Sequence, residues 1–178
     1  MGTGIIICGL NGAGKSTLGK ALAKELDFYF IDNEELSFPK ENPCYPYSSP
    51  RSCEEVKQSL LQEIQAHGNF VFASVKGDYG ETICPFFQYA VLMDVPKDIR
   101  MRRVRDRSWM RFGDRMLPGG DLYEQEETFF ELVQSREEDT VTEWAQSLSC
   151  PVIRVDGTKP VEANVRFIIE RIGSHPSS

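Results

Sequence analysis

The sequence has 178 residues, 40% hydrophobic and 26% charged, so its length and composition suit one compact globular domain. A formal net charge of −7 argues against a general nucleic-acid binder. We find neither an apolar run of membrane-spanning length nor a signal peptide, so we expect a cytoplasmic protein without a membrane partner. Five cysteines without a Cys-x-x-Cys pair favour reduced thiols over disulfides or a zinc site.

Short apolar runs alternate with helical patterns along the chain. Helical spacing of apolar residues follows most of the runs, and Pro160 suits the first position of the last helix. This alternation predicts an α/β fold, a three-layer sandwich in which a five-stranded parallel sheet carries helices on both faces. The predicted strands lie at residues 5–8, 28–31, 70–75, 89–95 and 152–155.

The strongest functional signal follows the first strand. Residues 9–16 match the pattern G-x-x-x-x-G-K-[ST] at every fixed position, between a predicted strand and a predicted helix. Glycines let successive backbone N–H groups face inward and bind anions, which the N-terminus of the next helix reinforces. We expect Lys15 to reach the β- and γ-phosphates of ATP, and the Ser16 hydroxyl to bind Mg²⁺. The predicted nucleotide-binding residues of this loop are Gly9, Asn11, Gly12, Ala13, Gly14, Lys15, Ser16 and Thr17.

An acidic pair, Asp32 and Glu34, follows the second predicted strand. Together with the glycines and the Lys-Ser-Thr-x-Gly run, this pair makes residues 9–36 resemble shikimate kinase. The resemblance implies that Asp32 lies near Mg²⁺ and the acceptor hydroxyl, as a metal ligand and a catalytic residue, with Glu34 in the acceptor site. The alternative is that Asp32 only caps the next helix.

Two further segments point to the acceptor. The Arg-x-x-Glu run that begins at Arg51 also resembles shikimate kinase, but residues 73–79 replace the triple glycine which that family carries after its third strand. This stretch, with its small residues and Lys76, resembles gluconate kinase instead. Both resemblances imply that Arg51 and Lys76 anchor an anionic or polyhydroxylated acceptor; solvated surface positions are the alternative. The third strand lacks an acidic residue, which favours a kinase over a motor or AAA-type ATPase.

Seven arginines fall between residues 100 and 115. With the strand before it, this segment is similar to adenylate kinase just before its lid, where two arginines four apart reach nucleotide. The match implies nucleotide binding by Arg103 and catalysis by Arg107. We expect Arg111, Arg115 and Arg136 to approach the transferred group or the acceptor from a lid. A solvated basic helix, or one that binds RNA, is the alternative.

Residues 155–161 are similar to the adenylate kinase loop that holds the adenine ring, which implies base contacts at Gly157, Lys159 and Pro160. The sequence thus predicts a kinase that moves the γ-phosphate of MgATP to a small hydroxylated or phosphorylated acceptor. A nucleoside monophosphate kinase and an RNA-associated ATP-binding protein with slow ATPase activity are the alternatives, and the acceptor and oligomeric state stay open. We expect one domain at 1–173, an acceptor-binding insert at 37–67, a mobile lid at 108–135 and a disordered tail at 174–178.

Overall fold

The computed structural model describes residues 2–38 and 45–174, and its centre is one parallel sheet. The strands are β1 (Gly4–Cys8), β2 (Tyr29–Asp32), β3 (Phe70–Ser74), β4 (Phe87–Asp94) and β5 (Val152–Asp156). They lie in the order β2-β3-β1-β4-β5 and are parallel at every pairing. Both β1 and β3 are buried along their whole length, because helices cover the two faces of the sheet.

Helices follow the strands as crossover connections. They are α1 (Lys15–Leu26), α2 (Asn33–Ser37), α3 (Cys53–His67), α4 (Lys97–Phe112), α5 (Tyr123–Ser135), α6 (Asp139–Gln146) and α7 (Val161–Gly173). Short 3₁₀ turns occur at Cys84–Phe86 and Gly113–Met116. Parallel strands need such crossovers, and this alternation gives the three layers.

The two faces of the sheet are covered by different helices. Along β1, Ile5 and Ile7 face α1 and α7, where Leu22 and Ile168 are fully buried. Ile6 points the other way, into a cluster with Leu60 of α3. This alternation of successive side chains across a strand explains why an unbroken apolar run forms a central strand.

The predicted fold class is confirmed, including all five strands and their parallel arrangement. The last helix begins one residue later than expected, since Pro160 has an extended backbone and occupies the N-cap position. In the expected insert, α3 buries Val56, Leu60 and Ile64 and so belongs to the main sandwich. An acceptor-binding role for the rest of the insert stays a prediction.

The segment expected to act as a lid contains the end of α4 and all of α5. Phe130 and Val133 of α5 pack in one buried cluster with Val104 and Phe112 of α4. Movement of this segment stays a prediction. Residues 39–44 of the expected insert and 175–178 of the expected tail lie outside the described residues. Across the part of the chain that is described, we find no helix with the length and apolarity needed to cross a membrane.

Candidate active site

The loop between β1 and α1 has the backbone of an anion-binding loop. Gly12 and Gly14 have φ angles of +80° and +98°, in the left-handed region that favours glycine. A Cβ atom on Gly12 would lie 2.3 Å from the carbonyl oxygen of Arg100, so only glycine fits there. Gly14 is the N-cap of α1, and the helix N-terminus therefore points its free N–H groups toward the loop.

Lys15 is the first residue of α1, and its ammonium group is partly buried. Its Nζ donates a hydrogen bond to the carbonyl oxygen of Leu10 at 3.1 Å. The pKa of Lys15 is lowered from 10.5 to about 8, chiefly by burial and next by the positive charge of Arg107, while Asp32 acts in the opposite direction. The fold thus holds a cation that a bound polyphosphate would stabilise.

A cavity of about 890 Å³ opens in front of this loop. It lies beyond the carboxyl ends of the parallel strands, where ligands bind in open α/β sheets. Eleven of the predicted site residues line it: Asn11, Gly12, Gly14, Lys15, Ser16, Thr17, Asp32, Glu34, Arg103, Arg107 and Arg136. Gly9 and Ala13 are buried in the loop behind it, as backbone of the same turn.

Asp32 ends β2 and performs the capping role that the sequence offered as an alternative. Its Oδ1 accepts a hydrogen bond from the backbone N–H of Glu34 at 3.0 Å, which caps α2. The same side chain lines the cavity together with Ser16. Capping uses one carboxylate oxygen, so the second oxygen is left for a ligand, and the two interpretations are compatible.

Arg103 joins the phosphate loop to the loop after β5. Its Nη1 donates to the carbonyl oxygens of Gly12 and Ala13, each at 3.3 Å, and its Nη2 donates to that of Gly157 at 3.2 Å. A Cβ atom on Gly157 would lie 3.0 Å from the Ala13 carbonyl oxygen, so the two loops touch. The structure therefore places the predicted base loop beside the phosphate loop.

The rest of that loop is a tight turn. The backbone N–H of Lys159 donates to the carbonyl oxygen of Asp156 at 3.1 Å, and Pro160 precedes α7. Both residues are exposed at the surface. Their contact with an adenine base stays a prediction.

The four predicted acceptor cations occupy different places. Arg111 contacts two residues that line the cavity: its Nη1 is 3.7 Å from Glu34 and donates to the Tyr47 hydroxyl at 2.5 Å. Lys76 lines a neighbouring cavity of about 630 Å³. Arg51 instead donates to the Leu36 carbonyl oxygen at 3.1 Å, and Arg115 pairs with Asp121 at 2.6 Å; neither lines a cavity described here.

Arg136 takes a clearer position than the sequence indicates. It lies just beyond the end of α5, lines both cavities, and donates from Nη1 to the Asn11 side-chain oxygen at 2.8 Å. Burial lowers its pKa. A guanidinium this close to the phosphate loop can stabilise charge on a transferred phosphoryl group.

Sequence reasoning missed the aromatic wall of the cavity. Tyr45 and Tyr47 come from the proline-rich segment before α3, and Phe129 comes from α5. The Tyr47 hydroxyl donates to Glu34 at 2.8 Å, and burial, followed by the Glu34 charge, raises the pKa of Tyr47. The Tyr-x-Tyr spacing is visible in the sequence, but the local pattern does not predict that these tyrosines contact α5, because the two segments are far apart in the sequence.

The arginine-rich segment is divided among internal partners. Arg100 is buried, with its Nη2 2.7 Å from Glu138, and Arg105 lies 4.3 Å over the Phe130 ring. Arg103 and Arg107 turn toward the cavity. These four arginines therefore have contacts with other residues of the same chain.

A family model described as AAA domain (AAA_18) matches residues 5–128. The chain belongs to this family. This AAA-domain chain is 27% identical over 179 residues to the uncharacterized protein YqaC of Bacillus subtilis (strain 168), across 96% of this chain and 98% of that protein.

Two solved structures share the fold of this AAA-domain chain. Shikimate kinase from Aquifex aeolicus matches with a TM-score of 0.55 and 18% identity over 96% of each chain. A gluconokinase from Sinorhizobium meliloti 1021 matches with a TM-score of 0.54 and 16% identity over 98% of each chain. The P-loop kinase fold expected from the sequence is thereby confirmed. Because β3 ends at Ser74 without an acidic residue, the preference for a kinase over an AAA-type ATPase stays a prediction.

Proposed function

We propose that the protein is an ATP-dependent phosphotransferase that moves the γ-phosphate of MgATP to a small acceptor. The observation that carries the proposal is that Lys15, Ser16, Asp32 and Arg107 line one cavity. Its volume of about 890 Å³ is in the range of small-molecule and cofactor sites and leaves space beyond the phosphate loop for an acceptor.

The residues of the cavity fit a nucleotide and Mg²⁺. The Gly12 backbone leaves no space for a side chain, and the partly buried Lys15 has no carboxylate within ion-pair distance in the described ranges. A polyphosphate supplies that missing negative charge. Ser16 and Asp32 offer the oxygen ligands that Mg²⁺ prefers, and the bound ion neutralises charge on the phosphate oxygens.

The chain's own residues then have separate roles. Asp32 orients the acceptor hydroxyl and accepts its proton while the acceptor oxygen bonds to the γ-phosphorus. The bond between the γ-phosphorus and the bridging oxygen breaks, and ADP leaves. Lys15, Arg107 and Arg136 stabilise the charge that spreads over the phosphoryl oxygens. Closure of the segment 108–135 excludes water and so limits hydrolysis of ATP.

A nucleoside monophosphate kinase is the second candidate, favoured by the contact of Arg103 with both the phosphate loop and Gly157. Solved relatives of the fold include a shikimate kinase and a gluconokinase, which supports acceptors with alcohol groups for the first candidate. The RNA-associated alternative has less support, because five of the six arginines of α4 contact other residues of the chain.

A screen of acceptor-stimulated ADP release tests the proposal. Purified protein with MgATP is presented with sugars, sugar acids, nucleosides and nucleoside monophosphates, alongside Asp32→Asn and the exposed control Asp27→Asn. We expect one class to stimulate ADP release, with Asp32→Asn slower by about 100-fold or more and the control unchanged. Absence of stimulation by every class, or full activity of Asp32→Asn, would overturn the proposal.

A further inference from the structure

The charges around the cavity leave little capacity for an anionic acceptor. Arg107 and Arg111 lie 3.8 and 3.7 Å from the Glu34 carboxylate, and Lys76 lies 3.9 Å from Asp78. Arg107 and Arg111 share the single negative charge of Glu34, which leaves one net positive charge on this group, and Asp78 offsets the charge of Lys76. A second negative group there would compete for partners that are in use.

The remaining charges match the nucleotide alone. Within the described ranges, Lys15, Arg103 and Arg136 have no carboxylate at ion-pair distance, whereas Asp32 and Glu124 add two negative charges to the cavity lining. Together with the positive charge left on Arg107 and Arg111, three cations and two acids give a net charge of about +2, which balances the roughly two negative charges of a magnesium-bound triphosphate. Electrostatic balance thus favours an acceptor without charge.

Aromatic side chains form the wall that faces this acceptor space. The rings of Tyr47 and Phe129 are within 13° of parallel, with centroids 6.4 Å apart, and Phe38 stands edge-on to Tyr47 at 5.1 Å. The Tyr47 ring is fixed because its hydroxyl is bonded to both Glu34 and Arg111. The Arg111 guanidinium lies 5.1 Å from the Tyr47 ring centroid and covers one face of that ring, so we assign the stacking of a planar ligand to Phe129.

A neutral amide completes the wall. Gln125, in the first turn of α5, lines the cavity, and its side chain has no hydrogen bond to any described residue. Thr128, which lines the same cavity, already donates to the Glu124 carbonyl oxygen at 2.8 Å. An amide both donates and accepts, so Gln125 matches the polar edge of a heterocyclic ring.

From these features we infer that the acceptor is an uncharged molecule that combines a planar ring with an aliphatic hydroxyl, as a nucleoside does. The ring lies against Phe129 beside Tyr47, Gln125 hydrogen-bonds to its edge, and the hydroxyl points to Asp32. This inference rests on the proposed function and names its substrate class. Sugar acids and nucleoside monophosphates are poor acceptors because each brings a negative charge.

Matched acceptor pairs test the inference. The value of kcat/KM is measured for nucleosides against their 5′-monophosphates, and for neutral sugars against the corresponding sugar acids. We expect nucleosides to exceed their monophosphates and all sugars by about tenfold or more. A sugar acid or a monophosphate as the best acceptor would overturn the inference and leave the proposed function intact. No activity with any acceptor would overturn both.

Two variants test the placement of the ring. Phe129→Leu should raise the KM for the nucleoside by about 3- to 10-fold with kcat and the KM for MgATP unchanged, whereas the control Phe167→Leu on α7 should change nothing. Gln125→Arg should shift the ratio of kcat/KM toward the monophosphate by about tenfold, because it adds the missing cation. An unchanged ratio in a well-folded Gln125→Arg protein, or an unchanged KM in Phe129→Leu, would contradict the assigned contacts.

Discussion

Replacement of Lys15 by methionine is expected to stabilise the nucleotide-free protein while abolishing nucleotide binding. The pKa of Lys15 falls from 10.5 to about 8 in the fold, chiefly because burial disfavours the charged ammonium group. That difference corresponds to about 3 kcal/mol of unfavourable free energy for the charged form at pH 7. Lys15→Met removes this penalty and keeps a side chain of similar length.

The expected gain is smaller than the penalty, because the variant also loses the hydrogen bond to the Leu10 carbonyl oxygen, worth about 1 kcal/mol. A net gain of about 2 kcal/mol corresponds to a rise in Tm of roughly 4 to 8 °C for a chain of this size. The unfolded chain holds the Lys15 proton more tightly than the folded chain does. Wild-type stability therefore increases between pH 8 and pH 10.5, and the advantage of the variant should nearly vanish at pH 9.5.

Thermal unfolding of wild type, Lys15→Met and the exposed control Lys24→Met, at pH 7 and pH 9.5, measures this effect. The control should stay within about 0.5 kcal/mol of wild type at both pH values. If Lys15→Met is less stable than wild type at pH 7, or if its advantage does not depend on pH, the argument from burial of the ammonium group is refuted.

Three further effects follow from the structure. Gly12→Ala should destabilise the fold by about 1–3 kcal/mol in urea unfolding, since a Cβ there meets backbone, whereas Gly173→Ala in an open helical position should be neutral or slightly stabilising. Glu126 is buried with its Oε2 unpartnered, while its Oε1 accepts a hydrogen bond from the Tyr45 hydroxyl at 3.1 Å. Glu126→Gln keeps this acceptor and removes the buried charge, so it should stabilise by about 1 kcal/mol; a destabilisation, or an equal gain in the exposed control Glu131→Gln, would count against this. Binding of MgATP should raise the pKa of Lys15 toward its usual value, so the complex should take up a proton above pH 8. The affinity for MgATP should therefore fall as the pH rises from 8 to 10, and an affinity that does not depend on pH would contradict this prediction.

Local patterns in the sequence were enough to predict the sheet and the phosphate loop. The conformation of residues 9–16 is determined locally, because Gly12 and Gly14 adopt the left-handed backbone and the next helix begins at Lys15. Likewise, the strands are continuous apolar runs, which only a sheet covered on both faces can bury. These features depend on residues that are neighbours in sequence.

The acceptor side was less predictable because it depends on contacts between distant segments. Glu34, Tyr47, Arg111 and Phe129 meet only after α4 and α5 fold over the segment before α3. The sequence placed Arg51 and Arg115 there by analogy with spacing in other kinases. In the structure, Arg115 pairs with Asp121, six residues further along the chain. Charge alone did not reveal which arginines turn inward.

Calorimetric titration with MgATP tests the central claim most directly, namely that the loop from Gly9 to Ser16 binds a magnesium-bound nucleotide. Wild type and Lys24→Met should bind with the same affinity and one site per chain, whereas Lys15→Met, folded and thermally stable, should show no measurable binding. Absence of binding to wild type, or equal binding by Lys15→Met, would contradict the account.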